Sequence, residues 1–298
     1  MRNDAPSDTA ILIAKSLLLL SRDERRSALV HADEAEILQA MIQEAGAGGL
    51  FGWLTRHGSG RALLFRIESL LLPGIQLHYA SRKLWIENRV RGALDRGVRQ
   101  VIIVAAGFDL LAYRLRREFP EVVFFELDHP ATQRPKRKAL GDSERLHFLP
   151  VDVAITRPHE ALKDHPAYSA DQSSICIAEG LLMYLDEPDV SDLLADLSSL
   201  ASPSGAVIFT FMEKDASASI DFRGQSPLVA RWLKNRREPF RWGIARDGLP
   251  AFLASCGLRV TGVADDEIFR ERILEPAGFG SFPLAQGECV CHSFPSLS

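Results

Sequence analysis

The sequence predicts a doubly wound α/β sheet preceded by a helical extension. Three observations carry the prediction. Short β-branched apolar runs alternate with helical patterns from residue 97 onward. Residues 9 to about 96 carry apolar residues only at mixed three- and four-residue spacings. The composition is that of an ordinary globular chain, with 46% of 298 residues hydrophobic and 25% charged.

Helical patterns cover Leu17 to Leu20, Ala35 to Ala45, Ala62 to Leu72 and Tyr79 to Leu94. The glycine-rich stretch Gly46 to Gly52 follows a helical pattern rather than a strand, so it reads as a connector and not a phosphate loop. Pro73-Gly74 is a second break. Gln100 to Ala105 then reads as a buried parallel strand, followed by a helix from Leu111 to Glu118. Val122 to Leu127, Leu146 to Val151, Ile175 to Ala178 and Ala206 to Met212 are further strands. Helices Ala131 to Leu140 and Pro188 to Ala201 lie between them. The alternation lapses from Glu213 to Arg246, a stretch too long for a plain connection. Leu249 to Cys256 resumes a helix, and Leu258 to Val263 and Glu288 to Phe294 close the sheet. One closing strand is expected to run antiparallel, because the Pro- and Gly-rich loop Glu275 to Gln286 carries no crossover helix. The expected organisation is a helical cap over 1–96 and a ligand-binding domain over 97–298 with a lid insertion at 213–246.

A net charge of −4, from 35 basic and 39 acidic residues, disfavours a nucleic-acid partner. Ala10 to Leu20 is about half the length of a membrane span and is interrupted by Lys15. Asp4 and Asp8, with no small-residue cleavage site, speak against a secretory signal, so a cytoplasmic protein is expected. Four cysteines do not make a disulfide scaffold in a chain this long. Cys176 is expected to be buried and inert. Cys289 and Cys291 share one strand face with His292 on the other, too few ligands for a metal site. The sequence assigns no oligomeric state.

In open α/β sheets, ligands bind outside the carboxyl ends of the strands. Those ends carry Ala105-Ala106-Gly107-Phe108-Asp109, Asp128, Asp152 and Glu179-Gly180. Small residues let a backbone approach a ligand closely. Asp128 follows Gly107 by 21 positions, where an acid accepts from ribose hydroxyls; the alternative is a helix cap at Pro130. Together the four ends describe an adenosine-type ligand. A dinucleotide needs the full G-x-G-x-x-G, and Ala105 and Leu110 stand at two of its positions, which weakens a nicotinamide-dependent oxidoreductase. S-adenosylmethionine has no phosphate, and its sulfonium and ammonium suit a carboxylate-lined pocket.

The run from Arg99 to Asp109, with Tyr113-Arg114-Leu115, resembles the leucine carboxyl methyltransferase family. Phe125-Glu126-Leu127-Asp128-His129-Pro130 with Lys136 is similar to its second-strand motif, and Ala178 to Leu185 to its fourth-strand motif. Ser81-Arg82-Lys83 and Glu238-Pro239-Phe240 are similar to looser family signatures. The resemblance covers residues 76 to 260 and implies a seven-stranded methyltransferase sheet that binds S-adenosylmethionine. It places Ala105 and Gly107 in the cofactor loop and Asp128 on the ribose. It places Asp152 and Val153 beside the adenine, Glu179 near the methionyl end, and Arg82, assisted by Lys15, on the methionyl carboxylate. The departures are Ala105 for the usual glycine and Leu110 for the usual threonine.

Methyl transfer from a sulfonium needs alignment of donor and acceptor. A carboxylate acceptor is already ionised at neutral pH, whereas a phenol or alcohol needs a base. No base stands out, which favours a small carboxylic acid as acceptor. His129 reads as structural, and His78, Tyr79 and Tyr184 are placed to face the acceptor. The stretch Arg231 to Trp242, with Trp232, Lys234, Arg236, Arg237, Phe240 and Arg241, reads either as a solvated face or as a lid whose arginine neutralises the acceptor. The basic run Arg134, Lys136, Arg137 and Lys138 is expected to face solvent. A cofactor-binding module without turnover is the non-enzyme alternative, and the altered first glycine is the feature that favours it.

Overall fold

A computed structural model describes residues 5–141, 143–201, 204–227 and 239–296. Five helices come first: α1 (Asp8–Ser21), α2 (Glu34–Glu44), α3 (Gly49–Arg56), α4 (Gly58–Leu71) and α5 (Ile75–Asp95). Then β1 (Gln100–Val104), α6 (Leu111–Glu118), β2 (Val123–Asp128), α7 (Pro130–Leu140), β3 (Leu146–Pro150) and α8 (Pro158–Leu162) alternate. β4 (Ser174–Ala178), α9 (Glu187–Ala201), β5 (Ala206–Met212), α10 (Leu249–Ser255), β6 (Leu258–Ala264) and β7 (Glu288–Pro295) complete the sheet.

The seven strands lie in the order β3-β2-β1-β4-β5-β7-β6. β1 to β5 are parallel, and β7 runs antiparallel to both β5 and β6. The sheet alternates between two cores. Val101, Ile103, Ile175 and Ile177 face one, with Leu18, Leu38, Trp85 and Val90 of the N-terminal helices. Ile102, Val104, Cys176 and Phe209 face the other, with Leu194 and Leu197 of α9. β1, β4 and β5 are buried along their whole length, which is why they read as unbroken apolar runs.

Two expectations are corrected. The glycine stretch is a connector only in part, because Gly49 opens α3 and Gly52 lies within it. Lys136 does not face solvent. It is fully buried, with its Nζ 2.5 Å from Glu126, while Arg134, Arg137 and Lys138 are exposed. An acid within the buried β2 requires a buried cation, and Lys136 on the helix that follows supplies it. The sequence reading also missed α8 and the helical turns over Asp266–Phe269 and Arg270–Leu274.

α5 carries the site. Gly74 starts it at φ 79°, and a Cβ there would lie 2.3 Å from the Pro283 carbonyl oxygen, so only glycine fits.

Candidate active site

The order of strands reverses between β1 and β4, and the site builds outward from there. After β1, Ala105 stands at φ 53° and Gly107 at φ 52°. An alanine in this left-handed region costs about 1–2 kcal/mol, which is the physical reason for the glycine usual at that position. Asp128, 5% exposed at the end of β2, accepts from the backbone N–H of Gly107 at 2.5 Å and of His129 at 2.6 Å. Burial pushes its carboxyl up, and the two backbone donors pull the other way. His129, not Asp128, is the N-cap of α7, so the helix-cap alternative for Asp128 is ruled out. Two backbone donors leave lone pairs on the carboxylate for further donors. The Val151 N–H reaches the Asp128 carbonyl at 2.9 Å, which brings Asp152 and Val153 alongside. Asp152 accepts from the Ala154 N–H at 3.0 Å.

α1 crosses these strand ends. A Cβ on Gly107 would lie 3.3 Å from the Ala10 side chain. The Ser7 N–H donates to Thr132 at 3.0 Å, and the Thr9 and Tyr184 hydroxyls are 3.4 Å apart. The close approach read from the small residues is therefore, in this structure, an approach of α1.

Past Ala10 the rim is a chain of buried ion pairs. Arg82, 2% exposed, donates to Glu179 at 2.8 Å and to Glu288 at 2.6 Å. Burial opposes its charge, but Glu288 and Glu179 outweigh it and raise the pKa. Burial would lift the Glu288 carboxyl, yet Arg82 and His78 hold it at about 2. Lys83 pairs with Asp109 and sits 3.1 Å from Glu179. Arg82, predicted as a clamp for an incoming carboxylate, thus already carries two carboxylates of its own. His78 does not face the acceptor. It is fully buried, bonded to Glu288 at 2.9 Å and flanked by Phe222 and Phe269.

Beyond Arg82 a cavity of about 580 Å³ opens between α1, α4 and α5. Its wall is mostly aliphatic and aromatic, and Lys15, Glu68, Gln76, Tyr79 and Tyr184 are among its polar groups besides Arg82 and Glu288. Burial lowers the Lys15 pKa, and its ammonium lies 5.2 Å from the Phe51 ring centre. Phe240 lines the cavity and packs on Tyr184 at 5.6 Å. Arg241, predicted as an acceptor contact, does not enter. It is exposed and pairs with Asp186 at 3.1 Å. The backbone N–H of Arg241 is fixed to the Met183 carbonyl at 2.7 Å, and alternation along the segment sends Phe240 inward, Arg241 outward and Trp242 into the second core. Arg231, Trp232, Lys234, Arg236 and Arg237 lie outside the described residues.

Burial raises the thiol pKa values of Cys176, Cys289 and Cys291. His292 bonds to Thr261 at 2.8 Å. Among the described residues no cluster of metal-binding side chains and no membrane-spanning helix is found. Sequence reasoning missed Gln76, Glu68 and Glu288. Glu288 left a signal, an acid opening an otherwise apolar strand.

The family described as "Leucine carboxyl methyltransferase" matches residues 19–198. Three mycobacterial relatives carry the name "Putative S-adenosyl-L-methionine-dependent methyltransferase". That of Mycobacteroides abscessus is 29% identical over 155 residues, 51% of this chain and 50% of its own. That of Mycolicibacterium vanbaalenii is 30% identical over 201 residues, 64% of each chain. That of Mycobacterium bovis is 28% identical over 287 residues, 90% of this chain and 77% of its own. The chain thus spans about half to two thirds of the length of the first two. A solved Thermobifida fusca protein described as a "putative methyltransferase" superposes at a TM-score of 0.58 with 13% identity, over 87% of this chain and 94% of its own, and shows the same fold. With its sheet order, its strand-end motifs and a family match over more than half its length, the chain belongs to the leucine carboxyl methyltransferase family.

Proposed function

We propose that the chain is an S-adenosylmethionine-dependent methyltransferase that converts a carboxylate of a small, largely apolar molecule to its methyl ester. Methyl transfer from S-adenosylmethionine rests on family membership, the sheet order and the names of the relatives. When bound, the cofactor supplies a methyl group activated on a sulfonium. The residues at the strand ends fit it. Asp128 keeps lone pairs for ribose hydroxyls beyond its two backbone donors. Asp152 and Val153 would flank the adenine, and Ala105 and Gly107 turn the loop between. Around Glu179, the carboxylates of Asp109, Glu179 and Glu288 outnumber the cations of Arg82 and Lys83, a surplus that suits an ammonium and a sulfonium. Lys15 has no carboxylate within ion-pair distance among the described residues, which supports it as the cation left for the methionyl carboxylate beside Arg82.

One observation carries the choice of acceptor. At the Arg82 end of the cavity every described carboxylate or imidazole is already paired. His78 is spent on Glu288, Glu288 is held at about 2, and Glu179 is shared by Arg82 and Lys83. Glu68, the remaining acid on the wall, lies by the start of α5, where burial raises its pKa and the backbone N–H groups of Gly74, Ile75 and Gln76 oppose the rise. With these groups engaged, an acceptor that arrives already ionised, as a carboxylate does, is the one this end of the cavity can serve without a base. The apolar wall favours the same chemistry. Carboxylate and sulfonium neutralise each other as the bond forms, and a low-dielectric site disfavours the separated charges it starts from.

We read 1–96 as a cap over this site and 213–246 as a lid insertion, of which 228–238 lie outside the described residues. Four free thiols fit a reducing compartment and support a cytoplasmic location. With a radiolabelled donor and a panel of small organic acids, the transferred label should be released as methanol by mild alkali. The rate should change little between about pH 6 and 8, because a carboxylic acid is ionised throughout that range. Alkali-stable label, or a rate climbing steeply with pH, would contradict the carboxylate assignment.

A further inference from the structure

α4 carries an apolar arc of which only one half is covered. Leu64 and Leu71 line the cavity, Leu63 and Leu70 stand in solvent, and Ile67 between them does both. A surface helix ordinarily turns its whole apolar stripe to a core. α3 repeats the pattern, with Phe51 on the cavity wall and Leu50 and Trp53 exposed. Leu50 keeps 72% of its surface in solvent and Leu70 71%. Of the large apolar side chains exposed among the described residues, only Ile155 lies away from this face and the cavity beside it. A tight corner joins the two helices. A Cβ on Gly60 would lie 2.3 Å from the Leu54 carbonyl oxygen, and Arg61 donates to the Thr55 carbonyl at 3.2 Å.

Charge marks the same segment. Residues 46–74 carry Arg56, Arg61 and Arg66 against one acid, Glu68, in a chain whose net charge is −4. Glu68 lies on the cavity wall, whereas Arg56 and Arg66 are exposed. Arg66 is three residues from Leu63 and four from Leu70, so it borders both on the surface of α4, and Arg56 is three from Trp53 on α3. Bulky apolar side chains with an exposed tryptophan, edged by arginines, are what a helix lying in the interface of an anionic bilayer presents.

We propose that the α3–α4 face docks on an anionic lipid bilayer. No described helix is long and apolar enough to cross a membrane, so the contact is peripheral. The apolar side chains enter the headgroup boundary, and the arginines meet the lipid phosphates. Two observations set lipid above a protein partner. The cavity has its mouth between Leu12 and Ile67, which both line it and are exposed. A protein seated there would close the mouth, whereas a fluid bilayer leaves it open to apolar molecules dissolved in the lipid. That argument rests on the reading of the cavity as the acceptor site. The charges give the second observation independently. A second copy of the chain would set Arg56, Arg61 and Arg66 against the same arginines, and like charges brought together oppose such a contact.

The test is sedimentation of the full chain with vesicles of phosphatidylcholine, alone or with one third phosphatidylglycerol. Binding to the anionic vesicles should be at least about tenfold tighter than to the neutral ones and should weaken with added salt. Leu63→Glu together with Leu70→Glu should lower it by at least about tenfold. Neither residue lines the cavity, so melting temperature and S-adenosylhomocysteine affinity should stay as in the wild type. Arg56→Glu with Arg66→Glu should remove the preference for anionic lipid. Brominated lipid should quench the tryptophan fluorescence, and less so in Trp53→Phe. No sedimentation with anionic vesicles, equal binding to both kinds, binding unchanged by the paired leucine substitutions, or quenching unchanged in Trp53→Phe overturns the inference. A concentration-dependent dimer that the leucine substitutions dissolve would assign the face to a second copy and overturn it as well. Vesicle binding as expected, with a methylated product stable to alkali, would overturn the carboxylate reading and leave the docking face standing.

Discussion

The rim of the sheet and the cavity beside it share Arg82 and differ in almost everything else. Along the rim, charge is answered by charge. Lys83 meets Asp109 and Glu179, and Arg82 meets Glu179 and Glu288. Asp128 holds the glycine loop through the Gly107 N–H and also accepts from the His129 N–H. In the cavity the walls are mostly apolar, burial lowers the Lys15 pKa against the pull of Asp8, and the buried Gln76 amide oxygen has no partner among the described residues. A rim satisfied within itself is preorganised for one fixed ligand. A cavity with an unsatisfied wall is defined by whatever fills it. On the reading proposed above, cofactor and acceptor are read by different physics within one site, rigid electrostatics for the first and apolar fit with sparse polar contacts for the second.

The contrast breaks most visibly at Arg82. Arg82→Ala leaves the buried Glu288 with His78 alone and Glu179 with Lys83 alone, which should cost up to about 3–5 kcal/mol of stability, read as a lower denaturant midpoint. The same network sets a pH dependence. Glu288 is depressed to about 2 from its ordinary value of 4.5. Its contribution is therefore present above about pH 4.5 and is lost as pH falls through 2. Glu288→Gln should flatten the stability profile across that window. A profile unchanged by the substitution would show that the pair contributes nothing net.

Asp128 should give the next largest effect. Asp128→Ala removes the acceptor of two backbone N–H groups, and a hydrogen bond to a charged group is worth about 1.5–3 kcal/mol. Melting temperature and cofactor affinity should fall together, because the carboxylate shapes the loop and, on the proposed reading, also meets the ribose. Loss of affinity with unchanged melting would assign Asp128 to the ligand alone.

Ala105 sharpens the comparison with the smallest effect. Ala105→Gly relieves the left-handed strain at φ 53°, worth about 1–2 kcal/mol, while glycine's extra freedom in the unfolded chain takes back about 0.4–1 kcal/mol. The net change in stability should lie between about 0 and 1.6 kcal/mol, on the favourable side. Ala105→Val, β-branched at the same φ, should destabilise instead. A destabilised Ala105→Gly would mean that the alanine methyl makes a contact worth more than the strain.

The rim was far more legible in the sequence than the cavity, for a physical reason. Parallel strands are contiguous apolar runs with their functional residues at fixed ends, so Gly107, Asp128, Asp152 and Glu179 could be placed by counting. The antiparallel return of the sheet was readable from the missing crossover helix after residue 275. The cavity is assembled from α1, α4, α5 and the segment near Phe240, residues far apart in the chain whose inward faces depend on packing. Periodicity identified α5 but not which of His78 and Tyr79 turns inward. Lys136 misled because three neighbours on the same basic run do face solvent, and only its pairing with Glu126 in β2 distinguishes it.

A crystal structure of the complex with S-adenosylhomocysteine tests the division between rim and cavity most directly. The account predicts the adenosyl group over Gly107, Asp128 and Asp152, with the sulfur at the Arg82 end and the 580 Å³ cavity left open. A nucleoside seated inside the cavity, against Gln76 and Leu64, would contradict it.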